Sequence, residues 1–481
     1  MRIPGLILLA ALLGAGARAE VTWTIHAAVL EGDPVDDVGL VTRIDGLAIN
    51  SAGQWLVEAD TDHLDGDADT VILRGGGLAY REGQALPAPS GAAIDSFDAL
   101  TLNSAGHSGW NLFLDGPGVG FDSGLFRNTR LVVQEGDFST APQFAAGTRY
   151  LGFFDAKIND AGDMLSVASV DDPNIPSGVD RALVVYQLDP NGALLSETVL
   201  VKEGDIPAGQ TADVTELGTE STQSAFNNAG DVLYFVELNA PATSDGAIYI
   251  NGELIALEGA EVPGDPERVY EFLAGRGLDL NDRGDFVFKA DLSDTQNDDV
   301  VLIRNDEVFR REGQSLAAIA PFVFAGTSPF GLSSGPVQID PCGSVLYFGD
   351  WDDPDTDVDT GLFLDDRLLV QEGVSTFNGS AFDVLDSGAD AFRLSDNGRF
   401  AIFEATLADG TNGAFVIEFA RCPDLDASGA VDLSDLAALL SAFGSSSGED
   451  AFDCGLDLDF SGSIDLPDLA GILSLFGGPC E

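Results

Sequence analysis

Two stretches near the C-terminus set oxygen-bearing side chains at the spacing of a calcium loop: residues 424–435 (DLDASGAVDLSD) and 457–468 (DLDFSGSIDLPD). Each has Asp at positions 1 and 3, Ser at 5, Gly at 6, an apolar residue at 8, and Asp at 9 and 12, and every position recurs after 33 residues. A hard divalent cation takes several oxygen ligands, and Gly at position 6 permits the sharp turn that brings them together. The expected side-chain ligands are Asp424, Asp426, Ser428, Asp432 and Asp435 in the first loop, and Asp457, Asp459, Ser461, Asp465 and Asp468 in the second. Ala430 and Ser463 would add backbone carbonyls, giving two Ca2+ ions in all. Acidic turns without metal are the bland alternative, and they do not account for the position-by-position duplication.

Each loop runs into an apolar pattern at i, i+3, i+4 and i+7: Leu436, Leu439, Leu440 and Phe443, then Leu469, Ile472, Leu473 and Phe476. That period predicts two short amphipathic helices. They offer little core, and the clustered carboxylates repel one another without a divalent ion, so folding of this segment should depend on calcium.

The rest of the chain is built on a different repeat. A four-residue turn begins at Asn50, Asn103, Asn159, Asn227, Asn281, Asp340 and Ser395, each with Gly in fourth place. A short polar side chain first and Gly fourth is the pattern of a type I turn. Strand-like runs such as DVLYFVE and DFVFKA follow it. A second marker, Glu-Gly, closes another apolar run at Glu82, Glu135, Glu203, Glu258, Glu312 and Glu372, in five of six cases 31 or 32 residues after the turn. Glu203 is displaced, which the insert at residues 171–180 (DDPNIPSGVD) explains. Units of roughly 53 to 68 residues, read as four short strands each, predict a seven-bladed β-propeller. A seventh Glu-Gly at Glu31 has no turn before it, and the seventh turn unit ends without one. The N-terminal strand is therefore expected to complete the last blade and leave no open edge.

These turns resemble the choice-of-anchor tandem-repeat proteins with an NxxGxxAF motif, over residues 21–421, with Tyr-Phe, Val-Phe or Ile-Phe closest to the Ala-Phe ending. The resemblance implies an extracellular protein with a C-terminal anchor and no established activity. Residues 422–481 resemble a GC-type dockerin: Asp stands at loop position 12, and no helix precedes the first loop. That resemblance implies recognition of a cohesin-like or other cell-surface protein through loop positions 10 and 11, here Leu433, Ser434, Leu466 and Pro467, where Pro467 departs from the small polar residues of the pattern. The expected fold class is mainly β: a seven-bladed β-propeller over residues 20–421, then a small all-α dockerin-like domain with two calcium loop-helix motifs over residues 422–481.

Arg2, the apolar run 3–14 and Ala17-Arg18-Ala19 read as a secretory signal peptide over residues 1–19, too short for a membrane span. A net charge of -58 excludes a nucleic-acid binder, and 45% hydrophobic residues exclude disorder as the source of that charge. Acidic loops at residues 60–69, 171–172, 291–299 and 350–359 follow the post-turn strands, so they should gather on one face. That face would bind a cation or cationic partner, or simply solvate the protein; Asp355, Asp357 and Asp359 come nearest to a metal spacing. Cys342, Cys422, Cys454 and Cys480 allow three disulfide pairings. Cys422 with Cys480 would clasp the duplicated module and leave Cys342 with Cys454.

GxSxG, HExxH and phosphate-cradling loops are absent, and His26, His63 and His107 stand in no repeated setting. The expectation is an exported, non-catalytic binding or scaffold propeller, with a polysaccharide or protein ligand on its face and a calcium-dependent anchor. The alternatives are a glycoside-cleaving propeller enzyme on the same anchor, and a structural cell-surface component.

Overall fold

Apolar and polar residues alternate along the runs flanking each turn, so each run buries a face and pairs with the next as an antiparallel strand. The computed structural model describes residues 21–175, 180–273, 277–293, 298–326 and 331–479; the expected signal peptide, Cys480 and parts of the 171–180 and 291–299 segments lie outside these. Seven antiparallel sheets follow one another along the chain. Blade two is representative: Ala93–Leu102, Ser108–Asp115, Ser123–Arg127 and Arg130–Gln134 run from inside to outside. In blades four, five and seven the innermost strand is broken into two shorter pieces.

The innermost strands touch in cyclic order, from Gly39–Ile49 through Ala93–Leu102, Tyr150–Ile158, Ser224–Phe226, Leu278–Leu280, Val337–Ile339 and Phe392–Leu394 back to Gly39–Ile49. The fold is a seven-bladed β-propeller. Val21–Leu30 pairs with Asn412–Arg421 as the outer strand of blade seven, as expected, and the Glu31 amide donates to the Asn412 carbonyl at 2.8 Å. The apolar clusters lie between blades. One packs Trp110, Leu112 and Phe126 of blade two on Leu56 and Ile72 of blade one; another packs Ile402 and Ala414 of blade seven on Val57 and Val71. A lone blade cannot bury both of its faces, so stacking supplies the core.

The turn motif does more than reverse the chain. Asn103 Oδ1 accepts from the His107 amide at 2.8 Å and closes its own turn, while its Nδ2 donates to the Asn159 carbonyl of the next blade at 3.0 Å. The same inter-blade bond runs from Asn50 to Asn103, Asn159 to Asn227, Asn227 to Asn281, and Asn281 to Asp340. Asp340 and Ser395 keep the turn through Oδ1 and Oγ, and Asn397 Nδ2 links blade seven back to the Ser51 carbonyl at 3.1 Å. The Glu-Gly carboxylates staple the opposite edge. Glu258 accepts from the Gly246 amide of its own blade at 3.0 Å and from Leu273 of the next at 2.8 Å, and Glu312 bonds Val300 and Leu332 likewise.

The chain divides into two compact units, the first holding residues 25–418 and the second residues 419–479 together with residues 21–24. The second contains the helices α1 (Leu433–Ala442) and α2 (Leu466–Ser474) around a small core of Val431, Leu439, Ile464 and Ile472. Among the described residues no helix is long and apolar enough to cross a membrane.

Candidate functional site

Position 6 of each C-terminal loop is a glycine with positive φ, 92° at Gly429 and 78° at Gly462, and the amides around it fold inward onto the position-1 carboxylate. Gly429 donates to Asp424 Oδ2 at 2.7 Å and Ser428 to Oδ1 at 3.0 Å; in the second loop Gly462 and Ser461 bond Asp457 at 2.9 and 3.0 Å. The position-12 carboxylates are fully buried. Asp435 accepts from Leu425 at 2.6 Å and Asp432 at 2.7 Å, and Asp468 from Leu458 and Asp465 at 2.6 and 2.8 Å.

This repeated network draws Asp424, Asp426 and Asp435 together, and likewise Asp457, Asp459 and Asp468: one carboxylate oxygen from each lies within 4.8 Å of the others. Ser428 Oγ reaches the Ala430 carbonyl at 3.1 Å and Ser461 Oγ the Ser463 carbonyl at 3.2 Å, adding two hard oxygens per loop. Asp432 and Asp465 start the helices, and Asp465 Oδ1 is buried without a hydrogen-bond partner. An all-oxygen donor set with a spare buried carboxylate oxygen fits a hard divalent cation. The loops also differ in their surroundings: Ser434 donates to Asp432 Oδ1 at 2.7 Å where Pro467 has no N–H to offer Asp465, and Arg421 stands 3.8 Å from Asp457 Oδ2 and packs over Phe460 at 3.9 Å. Burial pushes the Asp457 carboxyl up to about 6.

The helices depart from expectation. Leu439 and Ile472 are buried and Leu436 and Leu469 partly so, but Leu440, Phe443, Leu473 and Phe476 are exposed. The loops themselves fill the narrow core through Leu425, Val431, Leu456 and Ile464, leaving no room for a second helical row. Of the four expected partner positions, Leu433 is 72% and Leu466 69% exposed, and Ser434 and Pro467 are exposed too. With Ala437 and Leu440, and with Ala470 and Leu473, they form an apolar stripe at i, i+4 and i+7 on each helix.

Cys342, Cys422 and Cys454 are disulfide-bonded. The acidic loops at residues 60–69, 171–172 and 350–359 all join second to third strands, at one edge of the ring. There Asp355 and Asp353 accept from nearby amides as local turns, and among the described residues three carboxylate donors converge only in the two C-terminal loops.

A second concentration of charge lies inside the ring. The inner strands enclose a cavity of 610 Å³ lined by residues of all seven blades. Its acids include Asp45, Glu58, Asp98, Asp279, Asp282 and Asp396. Gly46 makes room for one of them: a Cβ there would stand 3.1 Å from Glu58 Oε2. Burial, then repulsion from Asp45, Asp60 and Asp98, pushes the Glu58 carboxyl up to about 8. Asp396, open to the cavity, is also pushed up, by its place inside the ring and by the nearby Asp160. The two cations of the wall are engaged, Lys157 with Asp155 and the Ser221 carbonyl at 2.8 Å, and Arg393 with Asp390. The sequence carries a faint signal for this site: a polar residue interrupts an apolar strand shortly before the turn, as in RIDGLAIN, SFDALTLN and GLDLN.

A model of a family of unknown function, DUF7453, matches residues 16–251 and again 196–323, together more than half of the chain. The chain belongs to the DUF7453 family. Overlapping matches to DUF7453 are what a tandem repeat produces when one unit aligns in more than one register. None of the curated proteins matches the chain. Among solved structures, it is similar to an alpha-L-arabinanase of Penicillium chrysogenum at 11% identity, with a TM-score of 0.31, covering 84% of this chain and 99% of that one. It is also similar to a puromycin hydrolase (11% identity, TM-score 0.39, 81% and 58% covered). A gluconolactonase of Xanthomonas campestris gives 11% identity and a TM-score of 0.26 over 84% and 98%.

Proposed function

We propose that this protein is an exported, non-catalytic β-propeller that binds a ligand and is held by a calcium-dependent, dockerin-like module. The observation that carries this reading is the near-equivalence of the two loops, each gathering three Asp carboxylates within 4.8 Å. In the first loop Asp424, Asp426, Ser428, Ala430, Asp432 and Asp435 would hold one Ca2+, and their counterparts in the second loop the other. Bound calcium would neutralise the clustered carboxylates and fix the loops against their helices. The exposed stripes led by Leu433 and Leu466 offer a cohesin-like or other cell-surface protein two related apolar faces. The charged start, apolar run and Ala-Arg-Ala of residues 1–19 support export.

Calorimetric titration of the full chain with calcium tests the anchor. Two ions per chain are expected, falling to none in Asp426→Ala/Asp459→Ala; a wild-type chain that takes up none rejects the reading. One observation favours glycoside cleavage instead: Glu58, with its raised carboxyl, would hold a proton at neutral pH in a cavity that also presents Asp45 and Asp98. Release of reducing ends from soluble polysaccharides, lost in Glu58→Gln, would replace the non-catalytic reading with that one.

A further inference from the structure

The inner cavity gathers more carboxyl groups than the protein supplies cations to balance, and a cation bound beside Glu58 would displace the proton that burial and its acidic neighbours hold there. Once Lys157 is engaged by Asp155 and Arg393 by Asp390, Glu58, Asp98, Asp279, Asp282 and Asp396 remain without an ionic partner among the described residues. Their contacts are neutral donors: Asn111 Nδ2 at 3.2 Å from Asp98, the Ile339 amide at 2.8 Å from Asp279, and Asn228 Nδ2 at 3.1 and 3.3 Å from Asp282 and Asp396. An independent observation comes from Asp155, which also lines the cavity. The residue is only 6% exposed, and although its Oδ2 meets Lys157, its Oδ1 is buried with no hydrogen-bond partner. A buried carboxylate oxygen left unpaired is costly and is met by bringing a donor to it.

The spacing selects the kind of cation. Carboxylates that hold a bare divalent ion must converge, and among the described residues three do so only in the C-terminal loops. In the cavity the acids are spread over several blades, with Phe97 and Leu100 in the same wall. Separated anionic points joined by apolar surface match separated ammonium groups joined by methylenes. A volume of 610 Å³ lies within the range of small-molecule sites.

We propose that the central cavity of the propeller binds a small aliphatic polyamine, its ammonium groups meeting Glu58 and Asp98 on one side and Asp279 and Asp396 on the other. This rests on the reading of the propeller as a binding module, and it names the ligand class.

The test is calorimetric titration of the full chain with spermidine, at saturating calcium and about 150 mM salt, where diffuse surface attraction is largely screened. 1,5-Pentanediol serves as the uncharged control. One saturable site per chain is expected, weakened at least about tenfold in Glu58→Gln/Asp279→Asn. Binding should be unchanged in Asp65→Asn/Asp67→Asn on an exposed acidic loop, and the diol should give no heat. Circular dichroism of each variant verifies the fold. Absence of saturable binding, several equivalent sites indifferent to the cavity substitutions, or equal binding of the diol would each overturn the proposal. Any of these with two calcium ions still bound defeats the cavity assignment alone, whereas sugar release defeats the binding reading beneath it.

Discussion

Asn103 holds two blades at once, and the substitution that separates its two tasks is already present in the chain. Asp340 closes the same turn with a carboxylate, its Oδ1 accepting from Ser344 at 2.7 Å. Asn103→Asp should therefore keep the turn but lose the Nδ2 bond to blade three, setting a carboxylate against the Asn159 carbonyl at a site 1% exposed. The expected cost is about 1–3 kcal/mol, the range for a buried polar group deprived of its partner. Urea unfolding of the variant measures it, and a cost near zero would mean that the inter-blade bond adds nothing to the turn. Arg421 offers a second test at this scale. Its guanidinium approaches Asp457 at 3.8 Å, while among the described residues Asp424 has no ionic partner, so the second loop should bind calcium more weakly than the first. Arg421→Gln should bring the two affinities together in a calcium titration; unequal sites that stay equally unequal would acquit the arginine.

The cost of losing a contact between blades can be read at Trp110. It is fully buried, 4.6 Å from Tyr80 in an edge-to-face contact, with its indole N–H on the Asn128 carbonyl at 2.8 Å. Trp110→Ala should cost about 3–5 kcal/mol by leaving a void between blades one and two. Denaturant unfolding reports it, and a loss below about 1 kcal/mol would show that the neighbouring blades collapse into the space. In the C-terminal module, chelation of calcium should remove the far-UV helical signal of α1 and α2 while the β signal stays. The strands and their order were legible in the sequence because apolar alternation and the Asn-to-Gly turn are local signals. So was the repeated loop, whose donors all lie within a span of twelve residues. The cavity was not: Asp45, Glu58, Asp98 and Asp279 are far apart in the chain and meet only when the ring closes. The helices were half legible. Their period marked apolar faces, but whether Leu440 and Leu473 face inward depends on how much core the rest of the module provides.

At the scale of the whole molecule, the pH response follows from carboxyls buried at the blade edges and in the cavity. Burial pushes Glu135 and Glu312 up to about 7 and Glu203 to about 6; Glu58 reaches about 8. In the unfolded chain these groups titrate near the ordinary glutamate value, so between roughly pH 4.5 and 7 the folded state binds more protons. The contribution to stability is thus fully present below the unfolded pKa and is lost as pH rises through the folded ones. With calcium chelated, Tm should be higher near pH 5 than near pH 8, and a Tm that rises with pH would contradict the assignment. Ring closure has a consequence in time. Glu31 and Asn412 share a hydrogen bond across 381 residues of sequence, so the strand made earliest in the ring waits for the one made latest before its blade is whole. Until then the blades form an open row with an unpaired strand edge at each end, and the ring cannot close.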